Sequence, residues 1–160
     1  MLLTVAAVGR LRDGAESALV ERYAKMATSI GRSHALGPLT VQDILESRSQ
    51  VVDLRRDDEG GRLIKVAGDA DLLVLLDEAG SALTSRQFAE RLRRWRDDGV
   101  KRAGFLIGGP DGHGEAAREA ARLSLSLSPM TLPHGLARVI LAEQIYRALT
   151  IIAGHPYHRA

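Results

Sequence analysis

The chain has 160 residues and a mass of 17.3 kDa, which is the size of one domain. With 45% hydrophobic and 26% charged residues the composition is globular, which excludes collagen-like, coiled-coil and wholly disordered classes. The net charge of +2 is too balanced to demonstrate nucleic-acid binding, and the lack of cysteine excludes disulfides, a thiolate nucleophile and Cys-ligated metal centres.

The first half of the chain predicts two strands and two helices in alternation. The apolar run Leu2–Val8 predicts a buried strand, and it ends far short of a membrane span. A helix is predicted over Glu16–Thr28, followed by an edge strand over Leu36–Val41, because Gly37-Pro38 stands at its start. A second helix is predicted over Asp57–Ala67. We therefore expect no membrane association, and a cysteine-free chain of this kind is compatible with the cytoplasm.

The second half continues the alternation. The stretch Asp71–Leu76 has no polar alternation, which is typical of a strand covered on both faces in a parallel sheet. The elements predicted after it are a helix capped at Thr84 or Ser85 and ended at Asp98-Gly99, a strand over Ala103–Ile107, a helix over Glu115–Leu123, a strand over Ser124–Ser128 and a last helix over Leu136–Ile152. Strands that alternate with helices predict an α/β fold, with a mostly parallel sheet and helices on both of its faces.

Three predicted strands end in irregular segments, Leu76–Gly80, Ile107–Gly112 and Leu127–Gly135. Ligands of open α/β sheets bind beyond the carboxyl ends of the strands, and glycines there let a ligand approach the backbone closely. Each segment alone is more typical of an ordinary turn, but the three together outline one cleft. The sequence motifs of dinucleotide, phosphate-loop, serine-hydrolase and zinc-protease sites do not occur, so those activities are disfavoured.

The last predicted helix carries one arginine at the edge of its apolar stripe. The stripe consists of Leu141, Ile145, Ala148, Leu149 and Ile152. Arg138 is open to two interpretations: a side chain that snorkels to water over the stripe, or a fixed cation aimed at the cleft formed by the preceding loop. Glu143 and Arg147 are spaced as an i, i+4 pair, for which a surface ion pair is the default.

The C-terminal end of the chain is basic. Residues 121–160 carry four arginines against Glu143 alone, a local charge of +3. This excess is a modest indication of a polyanionic partner, and an arginine-rich solvated face is the alternative. The tail Gly154–Arg159 offers a stacking ring, two imidazoles and a guanidinium, although such termini are commonly frayed.

Several motifs together resemble one family, the RlmH (YbeA) family of SPOUT methyltransferases. These motifs are Leu75–Gly80, Phe105–Gly112, Leu125–His134, Glu143–Ala148 and Pro156–His158. Members of the family are small bacterial enzymes that use S-adenosylmethionine to methylate N3 of a pseudouridine in the helix 69 loop of large-subunit 23S rRNA. The resemblance covers the full chain as a single SPOUT domain, and it is densest from Leu72 onwards.

The resemblance implies a homodimer, and a deep trefoil knot over about Ala103–Ile152. It also implies that backbone groups hold S-adenosylmethionine at Leu76, Gly108, Leu127, Ser128, Pro129, Met130, Thr131 and Leu132. This set agrees with the cleft outlined by the three irregular segments. Pro129 stands where the family often has a charged or small residue.

Methyl transfer to the N3 imide defines the side chains that the site needs. The imide must lose its proton as it attacks, which requires a cation for the developing charge and an acceptor for the proton, but no metal. Arg138 is the predicted cation, and His134 and His158 are the candidate acceptors. Tyr157, His158 and Arg159 are predicted to contact the RNA, with Tyr157 stacking on or steering the extruded base.

We expect the tail of one subunit to complete the site of the other, on 23S rRNA within the large subunit or the assembled ribosome. Two alternatives stay open. One is a non-enzymatic dimer that binds RNA or the ribosome, and the other is a SPOUT methyltransferase that acts on tRNA. Binding of S-adenosylmethionine separates the non-enzymatic dimer from the enzyme.

Overall fold

A computed structural model describes residues 1–157, in which strands and helices alternate as predicted. The elements are β1 (Leu2–Val8), α1 (Ala15–Gly31), β2 (Leu39–Ile44), α2 (Val52–Val66), β3 (Leu72–Ala82), α3 (Ser85–Asp97), β4 (Arg102–Ile107), α4 (Glu115–Ala120), β5 (Leu123–Ser126) and α5 (His134–Ile152). None of the helices in this part of the chain is long and apolar enough to cross a bilayer.

The strands form one parallel sheet in the order β2-β1-β4-β3-β5. The predicted parallel α/β sheet is therefore confirmed, with β2 at an edge as Gly37-Pro38 indicates. Because all strands run the same way, the irregular segments after β3, β4 and β5 meet at one edge of the sheet. The trefoil knot implied for about Ala103–Ile152 stays a prediction.

Helices cover both faces of the sheet, as predicted. Alternate residues of β1 face opposite ways: Leu3 and Val5 pack in the cluster with α1, α3 and α5, whereas Ala6 packs in the cluster with α2 and α4. The stripe of α5 fills the larger core, since Leu141, Ile145, Ala148 and Leu149 are at most 1% exposed. The long C-terminal helix is therefore fixed against the sheet along its apolar side.

β3 extends further than predicted, through a bulge that shapes the sheet edge. Both Leu76 and Ser81 pair with Leu125 of β5, so the four residues between them are extra relative to that neighbour. Gly80 permits this path, because a Cβ there would stand 2.7 Å from the carbonyl carbon of Ser124. The bulge places two carboxylates, Asp77 and Glu78, at the carboxyl edge of the sheet.

Other element ends differ from the predictions by a few residues. α2 begins at Val52 rather than Asp57, α4 ends at Ala120, and β5 ends at Ser126. Gly60 lies in the interior of α2 where a Cβ would be 3.2 Å from that of Ala117, so this glycine allows α4 to approach closely. At α3 the predicted cap is confirmed, since Thr84 Oγ1 accepts from the Gln87 amide at 3.2 Å.

Candidate active site

A cleft of about 490 Å³ opens at the carboxyl edge of the sheet, and we name it the cofactor-loop cleft because residues predicted to contact the cofactor line it. Its walls come from the β3 bulge, the β4–α4 segment and the segment between β5 and α5. Seven of the eight predicted cofactor-contacting residues line it: Leu76, Gly108, Leu127, Ser128, Met130, Thr131 and Leu132. Pro129, the eighth, lies exposed between lining residues. The structure thus brings together residues up to 56 positions apart in the sequence.

Polar side chains tie the walls of this cleft to one another. Thr131 Oγ1 donates a hydrogen bond to Glu78 Oε2 at 2.9 Å, which joins the β5–α5 segment to the bulge. Arg118 of α4 forms an ion pair with Asp77, with 2.7 Å between Nη1 and Oδ2. Burial opposes ionisation of Asp77, but hydrogen bonds from the Ala79 amide and Arg118 outweigh it and lower the pKa of Asp77. Asp77 is therefore a carboxylate at neutral pH.

His113 is a residue of the cleft that sequence analysis missed. It is 5% exposed, and Nε2 lies 3.1 Å from the Leu76 carbonyl oxygen, to which it donates. Burial lowers the pKa of His113, so the ring is neutral at pH 7 and Nδ1 carries no proton. A Cβ on Gly108 would stand 3.2 Å from the His113 ring. The ring therefore packs against two residues predicted to contact the cofactor, Leu76 and Gly108.

A second cavity of about 450 Å³ adjoins the cleft. It is lined by the turn between β1 and α1, by Glu46 and by the first turn of α5. Pro110 and His134 line both spaces. His134 is half-buried at the first position of α5, so its imidazole stands where the two spaces meet.

Arg138 lies in the wall of this second cavity and not in the cofactor-loop cleft where the sequence places it. The residue is 2% exposed, and Nη2 donates to the carbonyl oxygens of Val8 and Gly9 at 2.5 and 2.6 Å. Nη1 forms an ion pair with Asp43 Oδ1 at 3.1 Å. The snorkelling interpretation is wrong, because the guanidinium is buried. Burial lowers the pKa of Arg138, but a guanidinium stays charged at neutral pH.

The tail packs on α5 up to Tyr157, the last described residue. The Tyr157 hydroxyl donates to Glu143 Oε1 at 3.2 Å, and its ring centroid lies 4.7 Å from that of Tyr146. The guanidinium of Arg147 lies 5.0 Å from the Tyr157 ring. The predicted Glu143–Arg147 ion pair is present, with 2.6 Å between Nη2 and Oε1. Burial raises the pKa of Tyr157 to about 12, so the phenol is protonated.

Within one chain, Tyr157 is remote from the cofactor-loop cleft. Ala137 is the last residue of α5 that lines the cleft, and at a rise of about 1.5 Å per residue Glu143 and Arg147 lie roughly 9 and 15 Å further along the helix. His158 and Arg159, which were predicted to act with Tyr157, lie outside the described residues. The described part of the tail is thus placed beside the middle of α5.

Comparison with known proteins shows the family to which the chain belongs. A family model described as "Predicted SPOUT methyltransferase" matches residues 1–158. A protein of Brucella anthropi named ribosomal RNA large subunit methyltransferase H is 47% identical over 160 residues, covering all of both chains. A protein of the same name from Nitrobacter winogradskyi is 46% identical over 159 residues, or 99% of each chain.

Two solved structures share the fold at low sequence identity. A probable methyltransferase from Bordetella pertussis superposes with a TM-score of 0.51 at 15% identity, over 92% of this chain and 95% of that chain. A probable methylase family protein from Haemophilus influenzae gives a TM-score of 0.54 at 9% identity, over 99% of this chain and 70% of that chain.

Proposed function

The chain belongs to the SPOUT methyltransferase family, and from that membership we propose that it methylates N3 of a pseudouridine in the helix 69 loop of 23S rRNA. It uses S-adenosylmethionine and acts as a cytoplasmic homodimer. The observation that carries this proposal is the cleft at the sheet edge, where three strand ends converge. The name shared by relatives of 47% and 46% identity supports a large-subunit rRNA substrate.

The cleft fits the proposed cofactor in size and chemistry. Its volume of about 490 Å³ is typical of small-ligand sites. S-adenosylmethionine supplies an electrophilic methyl group on a positively charged sulfonium. Asp77 is paired with Arg118, whereas the carboxylate of Glu78 has no ion pair among residues 1–157 and complements that charge. Ile107 and Leu127 offer apolar surface to an adenine ring. Leu76, Gly108 and the run Leu127–Leu132 would hold the cofactor.

The chain's own residues position the reactants and accept the proton that leaves N3. The walls of the cleft hold the cofactor in a fixed position, and positioning of this kind can lower the activation barrier by roughly 7–11 kcal/mol. His134 stands between the two cavities and accepts the N3 proton, with His158 as the other candidate. Arg138 supplies positive charge from the wall of the second cavity, where the imide charge develops.

The tail completes the site of the other subunit in this proposal. The α5 residues that Tyr157 contacts, Glu143 and Arg147, lie about 9–15 Å along the helix beyond Ala137, the last α5 residue that lines the cleft. A two-fold partner is therefore the simplest source of a tail at each cleft. Tyr157 then stacks on or steers the extruded base, and His158 and Arg159 contact the RNA.

A methyl-transfer assay tests the proposed function. The purified chain is incubated with labelled S-adenosylmethionine and with ribosomes that lack the modification, and the label is mapped on 23S rRNA. Label at N3 of a helix 69 pseudouridine is the expected result. Label on tRNA alone would favour the tRNA enzyme, and RNA binding without cofactor binding would favour the non-enzymatic dimer.

Gly108→Val is expected to weaken S-adenosylmethionine binding by at least about tenfold while far-UV circular dichroism stays native. A Cβ at this position would stand 3.0 Å from the Gly112 carbonyl oxygen, so the added side chain displaces the loop that forms one wall. Gly61→Val is the control, because a Cβ there meets nothing within 4 Å. Titration calorimetry measures both, and parental affinity in Gly108→Val would remove this loop from the cofactor site.

The chain is expected to sediment at twice 17.3 kDa at micromolar concentration. α5 keeps apolar surface outside its buried stripe, with Leu136 43% exposed and Ile140 and Ile151 half-buried. An apolar helix surface of this kind is typical of an interface. A single species of 17.3 kDa would exclude the dimer and with it the shared site.

A further inference from the structure

α3 differs from the other helices in its charge. It carries five arginines against Glu90 and Asp97, a net charge of +3 within 13 residues. α2 has four basic and four acidic residues, and α1 has two of each, so both are neutral. The excess on α3 is therefore as large as the +3 of the whole C-terminal segment 121–160.

Ion pairing does not neutralise this excess. On α2, Arg55 and Arg62 have carboxylate partners of their own, at 2.6 Å to Asp111 and 2.9 Å to Asp58. On α3, Arg93 and Arg94 share the single carboxylate of Glu90, at 2.8 and 3.2 Å. Arg86 and Arg91 form no ion pair with any residue in the range 1–157. Positive charge is left over on this surface.

The charges stand on a rigid helix. Phe88, Ala89, Leu92 and Trp95 bury the opposite side of α3, and the capping box at Thr84 fixes its first turn. Arg86, Arg91, Arg93 and Arg94 are exposed, and we name these four side chains the α3 arginine face. Fixing the backbone of these cations in advance reduces the entropy lost when they bind a ligand.

Hydrogen bonds link the first residue of α3 to the tail. Ser85 Oγ donates to Gln144 Oε1 on α5 at 2.7 Å. Gln144 in turn donates to Glu143 at 2.8 Å, and Glu143 accepts the Tyr157 hydroxyl. A polar path of three hydrogen bonds thus joins the start of α3 to the residue proposed to steer the extruded base.

We propose that the α3 arginine face binds the phosphate backbone of the RNA that flanks the target nucleotide. Guanidinium groups present forked donors that match phosphate oxygens, and such contacts position a nucleic acid without reading its sequence. The proposal rests on the proposed function, because the RNA is the substrate of that reaction. The tail holds the reacting base, and α3 holds the chain that leads to it.

The test removes the two unpaired arginines with Arg86→Gln/Arg91→Gln. The control, Arg22→Gln/Lys65→Gln, removes two exposed cations from α1 and α2. Methyl transfer to large subunits and filter binding to protein-free 23S rRNA are measured from 50 to 200 mM salt. At low salt we expect roughly tenfold higher KM for subunits and tenfold weaker rRNA binding, with kcat and cofactor affinity unchanged. The plot of log affinity against log salt concentration should become less steep, its negative slope shrinking in magnitude by about 1.4–1.8, which corresponds to two lost phosphate contacts.

A variant of opposite sign sharpens the test. Glu90→Gln frees Arg93 and Arg94 from their shared carboxylate, so it should tighten rRNA binding, whereas a merely structural role for these ion pairs predicts no tightening. Equal effects of the α3 and control variants would overturn the proposal. Loss of affinity for intact subunits but not for protein-free rRNA would assign the face to a ribosomal protein and overturn it too. If the parent binds rRNA but transfers no methyl group, the proposed function is wrong. The filter-binding measurements on the variants still decide whether α3 binds RNA.

Discussion

Arg138→Ala is expected to lower turnover by roughly a hundredfold or more, with a much smaller loss of S-adenosylmethionine affinity. A cation that serves the developing imide charge acts mainly in the transition state, and removal of one such group typically has an effect of this size. The residues predicted to contact the cofactor line the neighbouring cleft, so cofactor affinity should depend little on Arg138. Single-turnover kinetics and calorimetry measure the two quantities separately.

The same substitution is expected to reduce the free energy of unfolding. It leaves Asp43 and the carbonyl oxygens of Val8 and Gly9 without their buried partner. Loss of one member of a buried ion pair costs about 3–5 kcal/mol, and the low end applies because the Asp43 side chain is 24% exposed. Denaturant titration of Arg138→Ala and the parent measures this difference.

A double variant separates the charge of Arg138 from its structural contacts. Asp43→Asn/Arg138→Met removes both charges, and the amide oxygen introduced by the first substitution can still accept the hydrogen bond that Asp43 Oδ2 takes from the Leu11 amide at 2.9 Å. Stability should return toward that of the parent, since no unpaired buried charge is left. Turnover should stay low if the cation acts on the imide. Recovery of turnover together with stability would show that Arg138 only holds the turn between β1 and α1.

Local patterns were sufficient to predict most of the fold. The runs Leu2–Val8 and Leu72–Leu76 are apolar without regular alternation, and they form β1 and the first part of β3, which are covered on both faces. The apolar stripe of the last helix identified the side that is buried in the core. The bulge of β3 could not be predicted in this way, because it depends on the fit of Gly80 against Ser124 across 44 positions of the sequence.

Only the part of the candidate site that is built from the ends of strands could be predicted from the sequence. Seven of the residues predicted to contact the cofactor meet at the cleft because parallel strands bring their carboxyl ends together. The direction of Arg138 was not predictable, since its partners Val8 and Gly9 lie about 130 residues earlier in the chain. His113 was missed because its hydrogen-bond partner is also distant in the sequence: the carbonyl group of Leu76 belongs to β3, whereas His113 follows β4.

Deletion of Tyr157–Ala160 is expected to abolish methylation of ribosomal RNA while dimerisation and S-adenosylmethionine binding stay nearly intact. Tyr157 contacts the middle of α5, about 9–15 Å along the helix beyond the last residue that lines the cofactor-loop cleft, so its removal should leave that cleft unchanged. Deletion of only residues 158–160 keeps Tyr157 and so separates its contribution from that of His158 and Arg159, and Tyr157→Phe is the matched control. Tyr157→Phe keeps the ring beside Tyr146 and loses only the hydroxyl contact to Glu143, so it should retain most turnover if stacking is the role of Tyr157.

Mixed dimers decide whether the tail acts on its own chain or on the partner. One chain lacks Tyr157–Ala160 and the other carries Arg138→Ala, so neither homodimer is active. In a two-fold dimer with shared sites, the truncated chain contributes an intact Arg138 and the other chain contributes an intact tail to the same cleft. One of the two sites should then regain parental turnover. No recovery would place both groups on one subunit, which the position of Tyr157 beside Glu143 and Arg147 opposes. Parental turnover of the truncated homodimer would instead show that the tail has no part in the reaction.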